Sequence, residues 1–278
     1  MKIQQLMKNG NEIIWSTENL VLFGTWLINK GDYGYGFLCI HGSCLGLKIG
    51  TLLKLKWNDF INFELFNDGN IDCCYSELII EDSKKNSKQI LHLSWFTRYS
   101  TEKFFTNNHE EYNLETDSNI YINTKTKKVL STTSLNRELN KLYNEFEEYI
   151  LKNTFLKLQL RPLKSNTMEI AWARDFVTKY NCTKKAFIIV SKHMGHRTVN
   201  DTINLLEIEP NDEIMISYDL FNPSPKAESE FEEIFLNKEK FKHYLLNQQI
   251  VTITSEFIRN RDKSKDYDIR DKSTWDNL

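Results

Sequence analysis

The apolar positions of the chain recur first at helical spacing. Leu20, Phe23 and Leu27 follow Ser16, whose hydroxyl is placed to cap a helix running to about residue 29, and Gly31 closes it. A second helix is predicted over 33–43. Leu47, Leu52, Leu53 and Leu55 then form the apolar face of a short helix, which the β-favouring Trp57 and Phe60 carry into a strand. Residues 60–66, 73–81 and 89–93 read as three strands, separated by Asn67-Asp68-Gly69-Asn70 and by a polar turn over 82–87. A helix over 95–107, a polar loop and a short strand over 119–122 come next. Leu135, Leu139, Leu142, Phe146 and Ile150 mark an amphipathic helix opened by Ser131-Thr132-Thr133-Ser134, with Glu138 placed for a capping box. Asn166 and Glu169 predict the same device at the head of a helix reaching about residue 180. Helices over 184–194, ended by Gly195, over 199–206, and over 229–246 beyond Pro223-Ser224-Pro225 complete the pattern. The end from Arg259 onward is charged and expected to fray. No internal repeat is present.

Helices around a few central strands make an α+β fold, mostly helical, and 278 residues suffice for a substantial core. A hydrophobic content of 40% with only 4 prolines and 10 glycines argues for a folded chain without long linkers. The richness in Lys, Asn, Ile and Glu points to an AT-rich genome. No apolar run reaches the ~18 residues that would read as a membrane span, and no secretory core follows Met1. Cys39, Cys44, Cys73, Cys74 and Cys182 form no Cys-x-x-Cys pair and are odd in number, which predicts buried free thiols in a reducing cytoplasm. The six histidines show no metal-ligand spacing.

Charge changes the picture more than its sum of −2 suggests. Over residues 151–205 basic side chains outnumber acidic ones ten to three, a local +7 that leaves −9 for the remainder. Over 206–237 nine acids face Lys226 alone. A basic region followed at once by an acidic one predicts a surface that meets phosphates and a tail able to cover it; ordinary solvated helix faces are the alternative.

Gly46-Leu47-Lys48-Ile49-Gly50-Thr51-Leu52-Leu53-Lys54-Leu55-Lys56-Trp57-Asn58-Asp59-Phe60 resembles the Gly-Leu-Arg-Ile-Ser-Glu-Leu-Leu-x-Leu-x-Trp-x-Asp-Ile box of the tyrosine recombinase (phage integrase) family. The run from Ile120 to Leu142 is similar to that family's strand, turn and following helix. His193-Met194-Gly195-His196-Arg197-Thr198 is similar to its Leu-Gly-His-Ser-Ser box. The resemblance spans about residues 19–208. It implies the family's mostly helical catalytic domain with a small antiparallel three-stranded sheet, over 1–222, followed by a helical, charged extension over 223–278. No separate amino-terminal arm domain is expected, because little chain precedes Asn19.

The family attacks a phosphodiester with a tyrosine, grips the non-bridging oxygens with two arginines, and protonates the leaving oxygen from a hairpin lysine, without metal or cofactor. Carried over residue by residue, the first arginine position is occupied by Lys48. The hairpin lysine falls on Lys84, with Lys85 and Lys88 as alternates. The His-x-x-Arg pair becomes Arg161 and Lys164, and the later histidine is His196. The nucleophile position is Leu205, which has no nucleophilic atom. An ammonium attracts phosphate but lacks the planar fork that holds two of its oxygens at once. Charge is thus kept where DNA would bind, and atoms are lost where chemistry would occur.

The resemblance therefore implies a protein that binds double-stranded DNA through Lys48, Lys84, Lys85, Lys88, Arg161, Lys164, His196 and Arg197 without transferring strands. Two alternatives stand beside it. A recombinase could use a displaced Tyr218, since tails in this family are exchanged between protomers, which would also make the C-terminal segment a route to a homo-oligomer. An interaction or structural module of a phage or mobile element could keep the fold and lose the DNA. Neither a Walker nor a dinucleotide phosphate loop is present, and no cofactor is expected.

Overall fold

The computed structural model describes residues 14–67, 73–82, 87–154, 160–208, 237, 239 and 240. Helix α1 (Thr17–Lys30) starts where the Ser16 hydroxyl accepts the Asn19 N–H and ends at the left-handed Gly31. Its neighbour α2 (Tyr33–Leu45) lies against it so closely that a Cβ on Gly24 would stand 2.7 Å from the Gly36 carbonyl oxygen. Only backbone without side chains permits that approach. A one-turn α3 (Ile49–Leu52) and a 3-10 turn over Trp57–Asp59 follow.

The 60–66 stretch is not a strand. The Asn62 side-chain oxygen accepts the N–H groups of Glu64 and Leu65, and the Asn62 carbonyl accepts from Phe66. Those bonds turn the chain into α4 (Phe63–Asn67), with only an isolated bridge from Ile61 to Cys74. Among the described residues the sheet is therefore a two-stranded antiparallel hairpin. It comprises β1 (Glu77–Asp82) and β2 (Ser87–His92), registered with Ile79 opposite Ile90. The expected strand at 119–122 is likewise reduced to bridges at Asn119 and Ile122.

Five more helices complete the order: α5 (Trp95–Tyr112), α6 (Thr132–Thr154), α7 (Thr167–Lys179), α8 (Lys184–Met194) and α9 (Val199–Leu206). Neither capping box expected for α6 and α7 forms. Helix α6 begins two residues before Ser134 is passed, with Ser131 accepting from Thr133, so Glu138 lies well inside it and pairs with Arg137. Asn166 takes a helical conformation and its side chain caps nothing. Of the expected 229–246 helix only residues 237, 239 and 240 are described, 239 and 240 as helix; the 222/223 boundary and the frayed end lie outside the described residues.

The main core is aromatic. Trp57, Tyr33, Phe37, Phe60, Phe96, Phe105 and Tyr121 are all but fully buried, with Phe104 stacked on Trp57 at 6.1 Å. His41 sits inside it, 4.6 Å from the Phe60 ring. Thr101 Oγ1 spends its hydrogen on the Thr97 carbonyl, so it accepts from His41 Nε2–H. Tyr121 O–H then donates to Nδ1, and one neutral tautomer is fixed. A second cluster unites Trp172, Phe176, Phe187, Val190, Met194 and Leu206 of α7, α8 and α9. Helix α7 belongs to both, contributing Met168 and Ala171 to the first and Trp172 onward to the second. All five cysteines are free thiols. Among the described residues no helix is long and apolar enough to cross a membrane.

Candidate functional site

The bend between α2 and α3 is where distant parts of the chain meet. Gly46 ends α2 with φ of 62°, and a Cβ there would lie 2.3 Å from Cδ2 of the Trp172 indole. The position thus needs glycine twice, for its left-handed backbone and for the ring pressed against it. His193, from the last turn of α8, lies 4.2 Å from the same indole. Its Nε2–H donates to the carbonyls of Leu45 (2.9 Å) and Gly46 (3.1 Å), two of the acceptors that the end of α2 leaves open. Both partners are pure acceptors, so Nε2 carries the proton and Nδ1 accepts from the Gln89 side-chain amide at 3.1 Å. Burial pulls the His193 pKa down and keeps the ring neutral, against the two carbonyl bonds that raise it. One imidazole ties α2, α8 and β2 together on the face of α7.

Lys48 projects from this knot. Leu47 beside it is buried, whereas Lys48 is exposed at the head of α3. Its Nζ stands 3.9 Å from where a Cβ on Gly195 would be. Gly195 is the left-handed cap of α8, and His196 follows it, half-buried, with Nδ1 2.8 Å from the hydroxyl of the buried Thr202. A true capping box, Thr198 with Asp201, then sets α9, and Arg197 stands exposed between the two helices.

Arg161 and Lys164 flank the buried Leu163 on a segment held at several points. The Arg161 carbonyl accepts from the Trp15 indole at 2.7 Å. Asn140 accepts from the Leu163 N–H and donates to its carbonyl, both at 2.8 Å. The Lys164 N–H donates to Thr167 Oγ1 at 2.9 Å. Both side chains are exposed, on a backbone with little freedom. Lys164 stands at the foot of α7. The Arg161 charge is felt by Arg174, whose guanidinium is partly buried and donates to the Leu206 carbonyl at the end of α9.

The sequence-derived positions thus divide. Lys48 and the Gly195–His196 turn are brought together, and Lys164 precedes the helix against which both rest. Lys88 is exposed, but alternation along β2 aims it opposite to Gln89, away from His193. Leu205 is 37% exposed on α9 and Leu206 is buried beneath it. Lys84, Lys85 and Tyr218 lie outside the described residues. Sequence pattern singled out neither Gln89 nor Trp172, and held His193 only as a member of the box around His196; the importance of all three is contact across the fold. Glu169 was legible only as a capping residue. It is in fact 8% exposed, and its Oε1 has no hydrogen-bond partner among the described residues. Burial pushes its pKa up, opposed by the charge of Lys48. No group of His, Cys, Asp and Glu among the described residues is arranged to hold a metal ion.

No family model and no curated protein matches the chain. Among solved structures it is similar to XerA recombinase, at 12% identity and a TM-score of 0.47 over 74% of this chain and 62% of that one. It is also similar to a lambda integrase, whose dimer was solved bound to a COC′ core site. That likeness has 13% identity and a TM-score of 0.45 over 77% of this chain and 54% of the other. The chain thus spans less than two-thirds of the length of either protein, and scores below 0.5 leave its site to be read from its own residues.

Proposed function

We propose that this chain binds double-stranded DNA through the surface around Lys48, Lys164, His196 and Arg197, and that it does not transfer strands. The observation that carries the reading is the meeting of the Gly46–Lys48 bend with the turn after α8, fixed by His193 bonds across 147 and 148 residues of sequence. Lys48 reaches the turn that carries His196 and Arg197, and the resemblance assigns those segments to a phosphate site. Where that resemblance requires a tyrosine, α9 carries Leu205. Without a nucleophile no covalent link to phosphorus forms, and without the guanidinium fork the developing charge is poorly held. Lysine still neutralises phosphate.

The test mixes the full chain with nicked and intact duplex across a salt series and resolves the products native and denatured. About four phosphate contacts predict a loss of roughly 10²-fold in affinity between 50 and 200 mM salt. The expected result is a salt-sensitive native shift with no band surviving denaturation. A surviving band that disappears in Tyr218→Phe would make the protein a recombinase instead. Absence of any shift, even at low salt, would favour a module that interacts with other proteins.

A further inference from the structure

The buried Glu169 has no place in a surface that recognises phosphate by positive charge, yet it lies beneath one. The residue is only 8% exposed, and its buried Oε1 meets no donor among the described residues. Several titratable groups sit on the elements around the first turn of α7. They are His41 and Cys44 on α2, Lys48 at the head of α3, His193 and His196 at the end of α8, and Lys164 ahead of α7 itself. Of these, Lys48 is the one whose charge acts on the carboxylate, through space rather than by a direct ion pair. His41 and His193 are held neutral by burial, and the Cys44 thiol, pushed up to about 12, is protonated. Asp175 acts on Glu18 farther along, where the Thr17 N–H donates to Asp175. Lys48 Nζ thus reaches the turn at Gly195, and its charge is felt by the buried carboxylate.

We infer that Glu169 is the built-in counter-charge of the phosphate-binding surface, offsetting Lys48 when ionised and freeing it for a phosphodiester when protonated. The inference rests on the DNA-binding reading of that surface. A phosphate arriving at Lys48 competes for the ammonium and places a second negative charge near the carboxylate. Both effects favour the protonated acid, so binding takes up a proton. The sign follows. Affinity is highest where Glu169 is protonated in the free protein. It falls as pH rises through that already elevated pKa, and it levels off once the carboxylate is ionised in both states. One proton limits the slope to about tenfold per pH unit.

The experiment is a titration of labelled duplex by fluorescence anisotropy, at fixed low salt, from pH 4.5 to 8. It compares the full chain with Glu169→Gln, Lys48→Gln and the double variant. Glu169→Gln should bind roughly twofold to fivefold tighter than the parent at pH 7, the worth of one exposed charge contact. It should also lack the fall in the carboxylate range, while keeping any histidine step. That gain should vanish in the Lys48→Gln background. Lys48→Gln alone, a surface change that leaves the core intact, should flatten the same limb. The inference is overturned if Glu169→Gln binds as the parent does at pH 7, if its gain survives without Lys48, or if Lys48→Gln keeps the acid limb. Failure of every protein to bind at any pH would overturn the DNA-binding reading and this inference with it. A parent that binds with no Glu169 effect would overturn this inference alone.

Discussion

His41 shows how one side chain in this protein links stability to pH. Its ring is buried in aromatic surroundings, its tautomer is fixed by Thr101 and Tyr121, and burial pulls its pKa down to about 3 from 6.5. A depressed folded-state pKa means that the unfolded chain binds the proton first. The stability is complete above the unfolded value and is lost as pH falls through the interval toward about 3. At 1.36 kcal/mol per unit, the loss approaches about 5 kcal/mol at the acid end. Glu18, Glu169 and Asp175 act oppositely. Burial raises their pKa values, so their contribution is present at low pH and is lost as pH rises through the folded values. The discriminating measurement is therefore a difference. Urea unfolding of His41→Gln against the parent should give curves whose separation shrinks steadily from pH 7 to pH 4. A constant separation would remove His41 as the acid-sensitive group.

At the scale of elements, the bend from α2 into α3 depends on a glycine and an indole. Gly46→Ala meets both the left-handed backbone and the Trp172 ring, 2.3 Å from the added carbon. We expect a cost of about 3 kcal/mol, seen as a fall of roughly 10 °C in melting temperature. Gly50→Ala is the control: its Cβ would meet nothing within 4 Å, and it sits in the short helix α3. It should leave stability nearly unchanged or raise it slightly. Equal losses in the two variants would mean that the bend is not set by the contact with Trp172. The α8–α9 turn offers the opposite lesson. Gly195 as the left-handed stop and the Thr198–Asp201 capping box are local devices, and sequence pattern alone placed both helices at their observed limits.

For the whole molecule, binding should depend on charges from segments far apart in sequence. Lys48 and Lys164 belong to separate segments, joined by packing of α2 against α7 and by the His193 bridge. Replacing both with glutamine should weaken DNA binding to a similar degree on unrelated sequences. It should also lower the salt slope by about two contacts. A loss confined to one DNA sequence, or an unchanged slope, would place the phosphate contacts elsewhere. The two hydrophobic clusters share α7.

The longer helices and their order were legible in the chain, because apolar spacing, the Ser16 cap and the glycine stops are short-range signals that act before the chain is compact. The sequence also showed the free cysteines and the basic stretch. It misread 60–66 because strand propensity is weak against a side chain that bonds its own backbone, as Asn62 does. Tertiary structure alone decided what surrounds Lys48. Glu169 looks like a surface capping residue in sequence and becomes a buried carboxylate only because α7 is covered by other elements. His193 and Gln89, 104 residues apart, meet only after the hairpin docks. Burial, desolvation and the charge felt across a few ångströms are properties of neighbours in space, and a chain carries no local mark of them.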